Sequence, residues 1–177
     1  MTEPVSNKSI SELILETDLG PTSSIQLKFA ALQLAQAMLS KDAANDYMKQ
    51  IENIQSEQKK SAEMIAKARE LQNQAKTGSG DCPWDKHASM MPQEMADFFK
   101  ERGLSYDTKG GDLANNEEEW NYNIQSLTNY QESISNKTQT LMVYLQDFIG
   151  QYNSYTQGAS SQVSQAMQTL QAIATVR

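Results

Sequence analysis

The chain has one cysteine, one histidine, three arginines and no apolar run that approaches the roughly 18 to 20 residues of a membrane-spanning helix. The lone Cys82 excludes an intrachain disulfide, so cysteine usage says nothing of the redox compartment. The arginines, Arg69, Arg102 and Arg177, are scattered, and the net charge is -7 with a pI near 4.7. Nucleic acid and anionic membrane surfaces both demand clustered Lys and Arg, so neither is an expected partner. Hydrophobic residues make up 38% of the 177, which is low for a compact globule; one domain or one elongated bundle is expected, with an isolated monomer short of core. Met1 to Ser11 has neither the basic start nor the apolar centre of a secretory signal. Export, if it occurs, is expected to bypass the cleavable signal of the general pathway.

What is present is a repeat. Leu113, Trp120, Leu127, Ile134, Leu141, Phe148 and Tyr155 recur every seven positions. A helix under-wound to about 3.5 residues per turn keeps such a line against a partner helix. A second row runs through Ile124, Gln131, Thr138, Leu145, Tyr152, Ala159, Ala166 and Ile173. Steps of four from Tyr155 to Ala159 to Val163 form a stutter that relaxes the supercoil. Gly150 and Gly158 each cost about 1 kcal/mol relative to Ala, so a bend or fray is expected near them. This last helix is expected from Leu113, capped by Asp112, to near the C-terminus, roughly 95 Å if unbroken.

A first long helix is expected to open at Thr22 to Ser24, where hydroxyls can cap it, and to end near Lys76 before Thr77-Gly78-Ser79-Gly80. Its start, Ile25, Leu27, Phe29, Leu32, Leu34, Met38 and Leu39, is apolar enough to be buried on several sides. Its later stripe is Ala44, Tyr47, Ile51, Ile54, Gln58, Ser61, Ile65 and Ala68. Residues 1–21 read as a lead-in, with Ser9 and Glu12 as a capping box and Gly20-Pro21 as its stop. The segment 77–111 holds five of the eight glycines and two of the four prolines and reads as irregular. Within it, Pro92 to Arg102 forms a short helix docked by Phe98 and Phe99 and stopped by Gly103.

The expected fold is therefore all-α: a long antiparallel helical hairpin, a coiled coil, with a small irregular insert carrying a short helix. The segments are 1–21, 22–76, 77–111 and 112–177. Ile51, Ile54, Ile65, Trp120, Ile124, Leu127, Ile134, Leu141, Leu145 and Phe148 should form the intrachain seam, whose polar centre (Gln58, Ser61, Gln131, Thr138) trades stability for register. The faces Ile25 to Leu39 and Val163 to Val176 need further helices to cover them, and neighbouring subunits are the economical source.

No pattern points to catalysis, cofactor or metal. Cys82-Pro83-Trp84-Asp85-Lys86-His87 offers one sulfur and one imidazole where zinc takes about four ligands, so an ordinary turn with Trp84 as a packed anchor is favoured. Gly78-Ser79-Gly80 lacks the Gly-Lys-Ser/Thr ending of a phosphate loop. Glu117, Glu118 and Glu119 suit a first helical turn through the helix dipole alone. Tyr122, Tyr130, Tyr144, Tyr152 and Tyr155 lack a basic stripe beside them and read as packing anchors with wet hydroxyls, not as a base-stacking surface. The polar faces are rich in Gln, Asn, Ser and Glu, which argues against direct membrane insertion.

The uncleaved Ser/Thr/Asn-rich start, the Leu32 to Leu39 opening and the Gln55 to Leu71 coil with its Lys60-Ser-Ala-Glu-Met-Ile-Ala-Lys67 centre form one pattern with three later features. These are Pro92-Gln-Glu-Met-Ala-Asp-Phe-Phe-Lys100, Gly103-Leu104 and the closing Gln/Ser/Thr-rich heptad helix. The pattern resembles the extracellular filament subunits of bacterial type III secretion systems, the EspA and SseB family, over most of residues 25–177. The closing helix, from Trp120 through Tyr152-Asn153-Ser154, also looks like that of the needle-tip proteins of these machines, which are usually much longer. The filament resemblance implies several things. The protein is secreted by the type III apparatus, after a cytoplasmic chaperone has covered the coil. It polymerises helically with itself on the needle, beside translocator proteins, into a hollow appendage that conducts effectors toward a host cell. Leu32, Leu39, Val163, Met167, Leu170 and Ile173 would then make subunit contacts, and Ser160, Gln162, Ser164 and Gln168 could line a channel. A tip or translocator-associated ring and a cytoplasmic helical adaptor or chaperone are the alternatives; an enzyme is not expected.

Overall fold

A computed structural model describes residues 24–107 and 112–175. It has helix α1 (Ile25–Lys76), strand β1 (Ser89–Met90), helix α2 (Gln93–Glu101), strand β2 (Ala114–Asn115) and helix α3 (Glu117–Thr175). The fold is the all-α hairpin: α1 and α3 run antiparallel and the insert lies between them in sequence. Two compact units divide the chain, Met1–Gln50 with Leu141–Arg177, and Ile51–Thr140. The Ser9 and Glu12 capping box and the Gly20-Pro21 stop lie outside the described residues.

Helix boundaries follow from local chemistry. Ser24 Oγ accepts the Leu27 amide at 3.2 Å, capping α1. At its end Ser79 N–H reaches Gln74 O and Gly78 N–H reaches Ala75 O, with Gly78 at φ 68. That pair of bonds around a left-handed residue satisfies carbonyls the helix leaves free. α2 ends the same way: Leu104 N–H reaches Phe99 O, Gly103 N–H reaches Lys100 O, and Gly103 has φ 64. Pro92 stands just ahead of α2, where its carbonyl accepts the Met95 and Ala96 amides.

α3 begins later than the sequence suggested. Leu113 is not helical, and Asp112 does not cap the helix; its carboxylate accepts the Ala114 amide. Asn116 is the cap. Its Oδ1 accepts the Glu118 and Glu119 amides at 2.9 and 3.0 Å while Glu119 Oε2 accepts the Asn116 amide. Three amide donors are thus satisfied, those of Asn116 and Glu119 reciprocally, and residues 114–115 are released to pair with β1, Ser89 opposite Asn115 and Met90 opposite Ala114. This two-stranded antiparallel pairing replaces part of the expected irregular insert. α3 continues as helix through Gly150 and Gly158, with no break at either.

The unit Ile51–Thr140 holds the larger core. Ile65, Ala68, Leu71 and Ala75 of α1 and Trp120 and Leu127 of α3 enclose Met91, Met95, Ala96, Phe98 and Phe99 of the insert. A buried polar chain ties these pieces together. Trp120 Nε1–H donates to Ser89 Oγ at 2.8 Å, and that hydroxyl donates to Leu71 O at 2.8 Å. Asn123 donates to Asn115 Oδ1 and accepts the Asp107 amide. Gln58 donates to Thr138 at 3.3 Å, as a register-setting polar pair would.

Glycines in the two places differ in consequence. At Gly80 a Cβ would stand 1.9 Å from Ala88 O, so Gly80→Ala is expected to cost about 1–3 kcal/mol through a backbone clash. At Gly150 a Cβ meets nothing within 4 Å, so Gly150→Ala should stabilise by about 1 kcal/mol. Urea denaturation of both variants checks the opposite signs.

In the other unit the α1 seam is made of small residues. Ala30, Ala37 and Ala44 are buried on one line, with Ser40 buried and Gln33 and Tyr47 half-buried on the next; Ala159 and Ala166 are the buried small residues of α3. Tyr47 meets Tyr144 and Phe148 at 5.7 and 5.5 Å between ring centroids. Gly158 lies against the Gln33 carboxamide, which a Cβ there would approach to 2.6 Å. The expectation that the large residues of 25–39 are buried on several sides is met only in part: Leu27, Leu32 and Leu39 are half-buried, whereas Ile25, Phe29, Leu34 and Met38 are exposed. Alanines occupy the inward positions, so the bulky neighbours point elsewhere.

Candidate functional site

The candidate seam residues are all at least half-buried: Ile51, Ile65, Trp120, Leu127, Ile134 and Leu141 are buried, and Ile54, Ile124, Leu145 and Phe148 are intermediate. The residues assigned to subunit contact divide. Leu32 and Leu39 are half-buried on α1, whereas Val163, Met167, Leu170 and Ile173 are exposed on α3, Leu170 by 63%. Their spacing of four, three and three puts those four on one helical face. Of the candidate channel residues, Ser160, Ser164 and Gln168 are exposed and Gln162 is half-buried.

The Cys82 to His87 turn does not gather into a centre. Cys82 is buried while His87 is exposed, its ring lying against Gly78. Trp84 is 65% exposed and anchors nothing, contrary to the sequence expectation. The buried tryptophan is Trp120, which α3 carries into the core. Among the described residues no group of His, Cys, Asp and Glu is placed to hold a metal ion, and no helix is long and apolar enough to cross a membrane. Glu117 pairs with Lys76 at 2.7 Å and Glu119 serves the cap, so two of the three acids have structural partners.

One charged cluster escaped the sequence reading. Arg102, beyond α2, grips Glu57 of α1 through both guanidinium nitrogens Nε and Nη2, and stacks 3.8 Å from the Phe98 ring centroid. Tyr130 of α3 donates its hydroxyl to Glu57 at 3.0 Å and meets Phe98 edge-on at 6.1 Å. The Arg102 bond holds the Glu57 carboxyl below its ordinary range, and Glu57 in turn raises the Arg102 pKa. Burial first, and then Glu57, raises the Tyr130 phenol. The partners lie 45 and 73 residues from Glu57, so no local motif announces them. Beside them, Lys60, Glu63, Met64, Glu94, Asp97 and Glu101 line an open groove of about 560 Å³ with Phe98 and Arg102.

The cluster joins three helices, so it acts as a clamp. Because the folded carboxyl titrates below the unfolded one, its contribution is complete above the unfolded value of about 4.3 and disappears as pH falls through the folded one. Glu57→Gln is expected to cost about 2 kcal/mol at pH 7 and to flatten the acid limb of stability, read by urea midpoints from pH 7 to 3. An unchanged acid limb would dissociate Glu57 from the clamp.

No family model matches the chain, and no curated protein or solved structure matches it significantly.

Proposed function

We propose that this chain is a secreted structural subunit that polymerises into the hollow extracellular filament of a type III secretion system and conducts effectors toward a host cell. The observation that carries this reading is the exposed apolar face of α3, Val163, Met167, Leu170 and Ile173, in a unit whose own seam is built of alanines. Contiguous exposed apolar surface on a helix calls for a partner, and helix-on-helix packing between copies buries it economically. The resemblance of Pro92 to Leu104 and of the closing helix to filament subunits supports the same assignment. A cytoplasmic chaperone would cover this face before export, and needle and translocator proteins would flank the assembled polymer. The Gln- and Ser-rich residues Ser160, Gln162, Ser164 and Gln168 would present a lining that does not grip passing chains. The residues act by packing, and no catalytic step is assigned.

Negative-stain microscopy of the purified chain across concentrations tests the proposal. Long tubes are expected. Small closed rings would replace it by a needle-tip role, and featureless dimers by a cytoplasmic adaptor or chaperone.

A further inference from the structure

Tyr122 is not the packing anchor that the sequence suggests. It is the most exposed of the seven tyrosines, at 50%. Tyr47, Tyr106, Tyr130 and Tyr144 each meet another ring, whereas Tyr122 has neither a ring partner nor a hydrogen bond among the described residues. Gln125, Ser126 and Asn129 follow it along α3 at steps of three, four and seven, which is one helical face. Ser105, in the loop after α2, joins them, and the five line a cavity of about 340 Å³. None of the five side chains spends a donor or acceptor on the described residues.

The cavity is held in shape from behind. Leu104 N–H reaches Phe99 O, the Tyr106 ring centroid lies 5.2 Å from that of Phe99, and Asp107 N–H donates to Asn123 Oδ1 at 2.8 Å. Ser105 therefore sits on a loop pinned on both sides of it. Asn123 is itself fully buried and donates to Asn115 Oδ1, so the anchor belongs to the core. A ligand entering here meets groups whose backbone is already ordered, which lowers the cost of binding.

The lining decides what can bind. It has no charged side chain, so a phosphate, carboxylate or ammonium group would leave water without a counter-charge. An apolar ligand would strand polar groups that water now satisfies. Peptides are mostly taken up at a sheet edge, in an apolar or aromatic-lined groove or by an arginine cluster, and this cavity offers none of these. What fits is a neutral ligand with many hydroxyls and one C–H face. The carboxamides of Gln125 and Asn129 each present donors beside an acceptor, as adjacent hydroxyls require, and the Tyr122 ring offers a negative π face to C–H groups. A sugar in its six-membered ring form has both features.

We propose that Tyr122, Gln125, Ser126 and Asn129, with Ser105, bind a neutral pyranose unit of a glycan. The sugar's C–H face stacks on the Tyr122 ring, and its hydroxyls replace the waters now held by the two carboxamides and the two serines. The site lies wholly in the unit Ile51–Thr140 and does not rest on the filament reading.

Biolayer interferometry of the full chain on immobilised mannan, amylose and galactan, with heparin and polysialic acid as charged controls, tests the proposal. At least one neutral glycan is expected to bind and to be competed by its free oligosaccharide. Tyr122→Ala should weaken that binding about tenfold, the scale of a lost aromatic stacking contact, whereas Tyr122→Phe keeps the ring and should stay within about threefold. Because Tyr122 is half-exposed, the urea midpoint of the alanine variant should not move; if it does, Gln125→Ala combined with Asn129→Ala, both at exposed positions, decides on the same criterion. Binding to the charged controls alone, to no neutral glycan, or undiminished by these substitutions would overturn the proposal. Leu170→Asp keeps its failure distinct from that of the filament reading: loss of multivalency on a dense surface should lower the apparent affinity about a hundredfold or more while the dependence on Tyr122 persists. Equal apparent affinity in the two proteins would count against the polymer and leave the glycan site standing.

Discussion

Trp120→Ala should cost about 3–5 kcal/mol, a large part of the 5–15 kcal/mol that separates most folded domains from their unfolded chains. The indole is fully buried among α1, α2 and α3 side chains, and its Nε1–H satisfies Ser89 Oγ. Truncation removes the largest buried side chain of the core and leaves a space that α1 and α3, held in register by Gln58·Thr138 and Lys76·Glu117, cannot both close. Trp120→Phe separates the contributions. It keeps most of the apolar volume and deletes the donor, while Ser89 still donates to Leu71 O, so a loss of about 1–2 kcal/mol is expected. Urea midpoints of the two variants, followed by far-ultraviolet circular dichroism, give the test, because the one indole left in each is Trp84, which is solvent-exposed. A loss under about 1 kcal/mol for the alanine variant would mean that the indole is not the keystone of this core.

How much of this was legible depends on whether the signal is local. The line Trp120, Leu127, Ile134, Leu141 reads directly from the sequence because a heptad of large side chains has one helical interpretation, and all four are buried. The two helix stops at Gly78 and Gly103 are equally local, since only a left-handed residue closes those hydrogen bonds without strain. The start of α3 differs from the expectation although its signature is in the sequence: Asn116 followed three residues later by Glu119 is a capping box, whereas Asp112 holds the Ala114 amide ahead of the helix. The opening of α1 misled for a different reason. Side-chain size and side-chain position disagree there, the seam being carried by Ala30, Ala37 and Ala44 while Phe29, Leu34 and Met38 face outward. Ser89 with Trp120, Asn115 with Asn123, and Glu57 with Arg102 and Tyr130 are polar contacts fixed by tertiary placement. No spacing in the sequence could have paired them.

Leu170→Asp should leave a helical monomer and abolish polymerisation. In the isolated chain Leu170 is 63% exposed, so its replacement removes little that the hairpin uses, and an aspartate at an exposed helical site costs only a few tenths of a kcal/mol in propensity. In a polymer the same side chain would sit between Met167 and Ile173 against a neighbouring copy, and a carboxylate buried there without a partner costs several kcal/mol. The penalty recurs at every subunit addition. Since each 1.4 kcal/mol is tenfold in an equilibrium constant, about 4 kcal/mol raises the critical concentration about a thousandfold. Leu170→Ala removes apolar area without adding charge, about 1.5–3 kcal/mol of burial, so its critical concentration should rise about ten- to a hundredfold and remain measurable. Sedimentation across a concentration series, paired with circular dichroism, reads both. The graded order wild type, alanine, aspartate places the α3 face inside the interface between copies. Filaments of normal length and critical concentration from the aspartate variant would move the interface to another face and return Val163, Met167, Leu170 and Ile173 to solvent.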